Sequence, residues 1–129
     1  MISHVSFGVK DLAAARRFYD AALKPLGYGC EADFPGAAGY GAIGSGAGAA
    51  GLWLMEVEHP VKPDEKSGLH LCLDAESRAA VDAFHAAALK HGGHDNGKPG
   101  VRKDYGDNYY AAFAIDPDGY RLEVYCGKA

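Results

Sequence analysis

The two halves of this chain resemble each other, and each half carries a histidine at the same place. When residues 1–27 are moved forward by 66 positions, they fall on residues 67–93. The matches include His4 with His70, Phe18 with Phe84, and Ala21–Lys24 with Ala87–Lys90. With one further residue of slip, Glu56 falls on Glu123. An internal repeat predicts two copies of one folding unit, which can bring corresponding polar residues around a shared cavity.

Composition excludes several classes of protein. The 129 residues suit one domain, and a hydrophobic fraction of 48% favours a globular core. A net charge of −4 argues against a nucleic-acid partner. No run approaches the 18 apolar residues that a membrane span needs, and no secretory signal is visible at the N-terminus. Three cysteines without a CxxC pair favour reduced thiols, so we expect a cytoplasmic protein.

The first half, residues 1 to about 58, is predicted to contain one helix and four strands. Asp11 can cap a helix that Pro25 and Gly27 end. The strands are expected at 2–9 and at about 28–34, 39–44 and 51–58.

The second half, from about 68 to 129, repeats that order after a linker at about 59–67. Ser77 is the expected helix cap, and Gly92-Gly93 the stop. The strands are expected at 68–73 and at about 94–97, 108–115 and 120–126. The fold class is therefore predicted as α+β, with two βαβββ modules that form one cup-shaped mixed-sheet domain.

A glycine-rich stretch covers residues 36–51, and Gly39–Gly44 matches the pattern GxGxxG. A dinucleotide site would need a strand before these glycines and a helix after them. More glycines follow instead, so we interpret the stretch as a flexible hairpin loop.

Several segments together resemble the vicinal oxygen chelate superfamily. They are His4–Leu12, Arg16–Gly27, Gly68–Leu73 and, as the most specific piece, Phe113–Val124 with its Asp-Pro-Asp-Gly turn. That superfamily includes glyoxalase I, bleomycin-resistance proteins, fosfomycin-resistance proteins and extradiol dioxygenases. The resemblance implies paired βαβββ modules in a half-open cup, and a homodimer.

By resemblance to glyoxalase I, the metal ligands are expected to be His4, Glu56, His70 and Glu123. Two imidazoles and two carboxylates suit a divalent ion such as Ni²⁺, Zn²⁺, Mn²⁺ or Fe²⁺. The alternative is that these side chains are hydrogen-bonded polar groups of a cavity that holds no metal. Glu58 could also face inward in place of Glu56. Without Glu56, two histidines and one carboxylate remain, a set that suits Fe²⁺ or Mn²⁺.

The resemblance implies that the ion binds two adjacent oxygens of a small molecule and stabilises negative charge on them. Glu123 or Glu56 is then the expected catalytic base. Residues 27–33 contain acids and no arginine, which argues against glutathione as the substrate.

A polar and aromatic cluster precedes the Asp-Pro-Asp-Gly turn. Its members Arg102, Tyr105, Tyr109 and Tyr110 are expected to bind an anionic or aromatic ligand. The alternative is that the tyrosines pack in the core or at a dimer contact. His85 is expected on a helix surface.

The leading functional hypothesis is a glyoxalase-like, metal-dependent lyase or isomerase that acts on a small oxygenated molecule. The first alternative is a metal-free protein that binds a drug or metabolite. The second is an extradiol-type dioxygenase, which is disfavoured because such enzymes are usually longer.

Overall fold

Two βαβββ modules follow one another along the chain, described over residues 1–129 by a computed structural model. The first contains β1 (Val5–Val9), α1 (Leu12–Leu23), β2 (Tyr28–Phe34), β3 (Ala37–Ala42) and β4 (Leu52–Glu56). The second contains β5 (Leu71–Asp74), α2 (Arg78–Lys90), β6 (His94–Val101), β7 (Tyr110–Ile115) and β8 (Arg121–Cys126). The predicted α+β fold with a cup-shaped mixed sheet is confirmed.

Each module forms its own four-stranded sheet. The strand orders are β1-β4-β3-β2 and β5-β8-β7-β6. The first and last strands of each module run parallel, and the remaining neighbours are antiparallel. β1 and β5 are therefore both edge strands, and each leaves one row of backbone groups without a strand partner.

The helices begin where the sequence predicts. The Asp11 carboxylate accepts a hydrogen bond from the Ala14 amide at 3.0 Å, and the Ser77 hydroxyl accepts one from the Ala80 amide at 3.1 Å. These caps satisfy amides that the first helical turn cannot pair internally. Neither helix is long and apolar enough to cross a membrane.

One hydrophobic core of 19 buried residues joins the two modules, because it contains side chains of both helices and both sheets. Phe18, Tyr19 and Phe84 are its largest fully buried members. Each sheet thus has a helix face, which packs on this core, and an open face on its other side. Contacts at the β7–β8 turn also join the modules: Phe7 stacks on Tyr120 at 4.1 Å, and the Tyr120 hydroxyl donates to the Gly8 carbonyl at 2.7 Å.

One local prediction holds in part and another is wrong. In the glycine-rich segment, residues 37–42 form β3 and residues 43–51 connect it to β4; within β3, Gly39 lies so close to Trp53 that an added Cβ would be 3.0 Å from the indole ring. His85 is buried, not exposed, because its ring binds Asp95 at 2.8 Å across the α2–β6 contact.

Candidate active site

Glu123 is the buried carboxylate at the centre of the candidate site. It lies in β8 between Leu122 and Val124, which are fully buried on the helix face, so its own side chain belongs to the open face. Only 4% of Glu123 is exposed. A buried carboxylate needs hydrogen-bond donors, and this one has two.

Both carboxylate oxygens of Glu123 have a partner. The Tyr109 hydroxyl donates to Oε1 at 2.6 Å, and His70 Nε2 lies 2.9 Å from Oε2. The other ring nitrogen of His70 lies 3.2 Å from the Gly68 carbonyl oxygen, so the imidazole is held from both ends. We call Glu123, His70 and Tyr109 the Glu123 triad.

Burial and the charge of Glu123 keep Tyr109 and Cys72 protonated. The hydrogen bond to Glu123, together with partial burial, raises the pKa of Tyr109 well above the ordinary value for tyrosine. Cys72 is the strand partner of Glu123, and partial burial of its sulfur, reinforced by the Glu123 charge, raises the pKa of the thiol to about 12. Tyr109 is therefore a donor at neutral pH, and Cys72 is a poor nucleophile.

Arg121 lies two residues before Glu123 and on the same open face. Together with His70, Ser6 and Tyr120 it lines a cavity of about 860 Å³ between β1, the 57–69 segment and β5. The cavity and the Glu123 triad thus share His70. The sequence signal for Arg121 was the alternation Arg-Leu-Glu, which places residues 121 and 123 on one face of a strand.

The structure does not bring His4 to the triad. His4 precedes β1, is exposed, and contacts the Ser3 hydroxyl at 3.1 Å. No group of three or more His, Cys, Asp or Glu side chains in the chain is arranged to hold a metal ion.

Glu56 lies on the opposite side of its sheet from the expected position. Its register partner Val9 and its strand neighbour Leu54 are both fully buried on the helix face. The Glu56 carboxylate accepts a hydrogen bond from the Leu12 amide at 2.9 Å, in the first turn of α1. Glu56 therefore stabilises a helix N-terminus, and its carboxylate is not on the open face with the Glu123 triad.

Trp53 occupies the position in the first module that Glu123 has in the second. The 66-residue shift makes Ser6 of β1 equivalent to Cys72 of β5. In the strand register Ser6 is opposite Trp53 of β4, and Cys72 is opposite Glu123 of β8. The match of Glu56 with Glu123 fails because the β1–β4 connection is four residues shorter than the β5–β8 connection. An indole offers no metal ligand at that position.

The predicted ligand-binding cluster divides into separate environments. Tyr109 belongs to the triad, and Tyr105 is 68% exposed and packs edge-to-face on it at 5.2 Å. Arg102 donates to the Lys98 carbonyl at 2.6 Å and lies 5.5 Å from the centre of the Phe113 ring. Tyr110 donates to Asp82 of α2 at 2.6 Å, on the helix face and away from the triad.

Comparisons with known proteins agree with this architecture. The family model for the Glyoxalase/Bleomycin resistance protein/Dioxygenase superfamily matches residues 1–124. A glyoxalase/bleomycin resistance protein from Albidiferax ferrireducens is 31% identical over 95% of this chain and 96% of its own, with a TM-score of 0.81. No curated protein matches the chain.

More distant solved structures share the fold alone. A glyoxalase-related enzyme from Fulvimarina pelagi is 17% identical, with a TM-score of 0.72 over 97% of this chain and 86% of its own. A glyoxalase I mutant from Zea mays is 20% identical, with a TM-score of 0.71 over 96% of this chain and 45% of its own.

Proposed function

We propose that this chain, which belongs to the Glyoxalase/Bleomycin resistance protein/Dioxygenase superfamily, binds a small oxygenated molecule at the Glu123 triad without a metal ion. The observation that carries the proposal is the hydrogen bonding of Glu123, whose two oxygens are both occupied by side chains of its own module.

The residues of one chain do not fit a divalent metal. A protein site for such an ion supplies at least three ligands, and here only His70 and Glu123 lie together. Trp53 stands at the register position of a fourth ligand, and Glu56 is engaged at the start of α1. We therefore derive no step through a metal.

The triad suits recognition of two neighbouring oxygens by hydrogen bonds. One ligand hydroxyl would donate to a remaining lone pair of a Glu123 oxygen. A neighbouring hydroxyl would donate to the Tyr109 oxygen, whose single proton is already given to Glu123. Hydrogen bonds to a charged group are stronger than neutral ones, so a few such contacts fix the orientation of a small molecule. The rings of Phe113 and Tyr125, which pack against His70 and Tyr109, would contact its apolar part.

The second candidate is the glyoxalase-like, metal-dependent proton transfer, in a homodimer. What favours it is that His4 precedes β1 as His70 precedes β5, and that both of these strands are unpaired edges. If two copies join these edges, His4 of a second copy would meet His70 and Glu123. Two histidines and one carboxylate could hold Fe²⁺ or Mn²⁺, and an extradiol-type dioxygenase would need such a set. Glu123 would remain the base in that arrangement.

Metal content separates the two candidates. Untagged protein is purified without chelator, analysed for bound metals, and titrated with Mn²⁺, Ni²⁺ and Zn²⁺ by calorimetry. We expect well under one ion per chain and no rise in melting temperature with added ion. Nearly stoichiometric metal that His4→Ala and Glu123→Gln both abolish, while His91→Ala at the exposed end of α2 retains it, would establish the second candidate and overturn the first.

A further inference from the structure

Arg121 has a buried nitrogen without a hydrogen-bond partner. Its Nε is the single side-chain nitrogen or oxygen atom in the chain that is buried and unpaired. None of the five ion pairs of the chain includes Arg121. The Nε atom itself is out of reach of the cavity, so a ligand would contact the Nη atoms; a guanidinium in a cavity wall without an ion-pair partner is available to an anion.

The cavity beside Arg121 has the size and lining of a small-molecule site. Its volume is about 860 Å³, within the range of ligand pockets. Val57, Val61 and Leu69 supply apolar surface from the segment that covers it. Polar side chains make up seven of its 17 lining residues: Ser6, His59, Asp64, Ser67, His70, Tyr120 and Arg121.

We propose that this cavity binds a molecule with one carboxylate group, and that Arg121 forms an ion pair with that carboxylate. This inference rests on the proposed function, since His70 belongs both to the Glu123 triad and to the cavity wall. The ligand is then an apolar molecule with a carboxylate on Arg121 and a neighbouring hydroxyl within reach of the triad.

The charges of the wall favour a single negative charge on the ligand. Arg121 is its one permanently charged cation, and the planar guanidinium matches a carboxylate in two parallel hydrogen bonds. Asp64 also lines the cavity and would repel a second negative charge; its carboxylate accepts from the Lys66 amide at 2.8 Å. His59 lies 3.7 Å from Glu58, which competes for it. A phosphate ester or a dicarboxylate is therefore disfavoured.

The test compares mandelate with mandelamide, which replaces the carboxylate by a neutral amide and keeps the ring and hydroxyl. Both are titrated calorimetrically into protein dialysed against EDTA. We expect mandelate to bind about 10-fold or more tightly than mandelamide, because a hydrogen-bonded charge pair supplies that difference. Equal affinities, or no mandelate binding at 10 mM ligand (about the weakest affinity such a titration detects), would overturn the proposal.

Variants assign the effect to Arg121. Arg121→Gln should lose about 10-fold or more in mandelate affinity and keep its mandelamide affinity. Arg121→Lys keeps the positive charge but lacks the planar guanidinium, so its mandelate affinity should lie between those of the wild type and Arg121→Gln. Arg17→Gln, on the exposed side of α1, should bind mandelate as tightly as the wild type. A wild-type mandelate affinity in Arg121→Gln would refute the assignment. Thermal unfolding of each variant confirms that it is folded.

Glu123→Gln separates this inference from the proposed function. It should weaken both probes, because both place a hydroxyl against the triad, whereas Arg121→Gln should weaken only mandelate. If Arg121→Gln weakens mandelate binding and Glu123→Gln does not change the affinity for either probe, the carboxylate site is supported and the triad does not contact the ligand. If only Glu123→Gln weakens binding, the triad contacts the ligand and the proposed carboxylate site at Arg121 is refuted.

Discussion

The Tyr109 hydroxyl donates a hydrogen bond of 2.6 Å to Oε1 of Glu123, on the open face of the second sheet. The two side chains come from β8 and from the segment just before β7, so the bond joins neighbouring parts of one module. Because Glu123 is 4% exposed, water cannot replace Tyr109 at this oxygen without a rearrangement. The bond therefore contributes both to stability and to the position of the carboxylate.

Replacing Tyr109 by phenylalanine tests that contribution. Tyr109→Phe should lower the free energy of unfolding by about 1–3 kcal/mol, since it leaves a buried charged acceptor unsatisfied. Urea unfolding measures the change. Tyr105→Phe is the matched control, because Tyr105 is 68% exposed, and it should have little effect. Equal effects of the two substitutions would argue against a buried Tyr109–Glu123 bond.

The reactivity of Cys72 tests the electrostatics of the same site. A thiol pKa of about 12 leaves a thiolate fraction roughly 1,000-fold smaller than that of an ordinary thiol at pH 8. Cys72 should therefore react with iodoacetamide far more slowly than N-acetylcysteine, as measured by peptide mass spectrometry. Glu123→Gln should accelerate the reaction by removing the negative charge. Alkylation of the wild type at the rate of the free thiol would be inconsistent with this environment.

Asp116 predicts a pH dependence of stability. Burial raises the pKa of this carboxyl from 3.8 to about 6, although the Tyr19 hydroxyl and the amides of Asp118 and Tyr120 donate to it. The folded state then binds the proton more tightly than the unfolded state. The resulting stabilisation is present below pH 3.8 and is lost as the pH rises through 6.

Comparison with Asp116→Asn isolates this group. The free energy of unfolding of the wild type, relative to the variant, should fall by about 2–3 kcal/mol between pH 4 and pH 7. Chemical unfolding at several pH values gives the difference. A wild type that gains stability over the variant as the pH rises would contradict the predicted sign.

Gly93 predicts a strong steric effect at the end of α2. A Cβ added there would lie 2.6 Å from a Phe18 ring carbon and 2.8 Å and 2.9 Å from the Ala88 and Ile115 carbonyl oxygens. Two of these neighbours are backbone atoms, so Gly93→Ala should destabilise the chain by about 1–3 kcal/mol. Gly48→Ala, which meets nothing within 4 Å, should be close to neutral in the same thermal unfolding experiment. Similar melting temperatures for the two variants would disprove the close packing.

The fold could be predicted from the sequence because its signals are local. Asp11 and Ser77 precede helical patterns directly, and each cap forms as expected. β6 extends to Val101, beyond the predicted 97, because irregular pairing with β7 lets it continue past Gly97. His85 could not be placed, because its burial depends on Asp95 in the next strand.

The site was predicted in part, and the limit was the spacing of strands within each module. His70 was expected because it repeats His4 at the 66-residue shift, and Glu123 because residues 113–124 resemble the vicinal oxygen chelate superfamily; the structure brings these two side chains together. Glu56 was matched to Glu123 by residue identity, whereas the register of β4 against β1 places Trp53 there. The register depends on how many residues connect β1 to the pairing position in β4. The sequence alone does not show where that pairing begins. Arg121 was missed because its open hydrogen-bonding capacity appears only when its neighbours are known.

The central claim is the proposal that the Glu123 triad binds its ligand without the help of a metal ion. The most direct measurement is a calorimetric titration of EDTA-dialysed protein with mandelate, repeated after addition of Mn²⁺ and with Glu123→Gln. We predict the same dissociation constant with and without Mn²⁺, and a marked loss of affinity in Glu123→Gln. Binding that develops only after Mn²⁺ is added, or that is unchanged in Glu123→Gln, would contradict the claim.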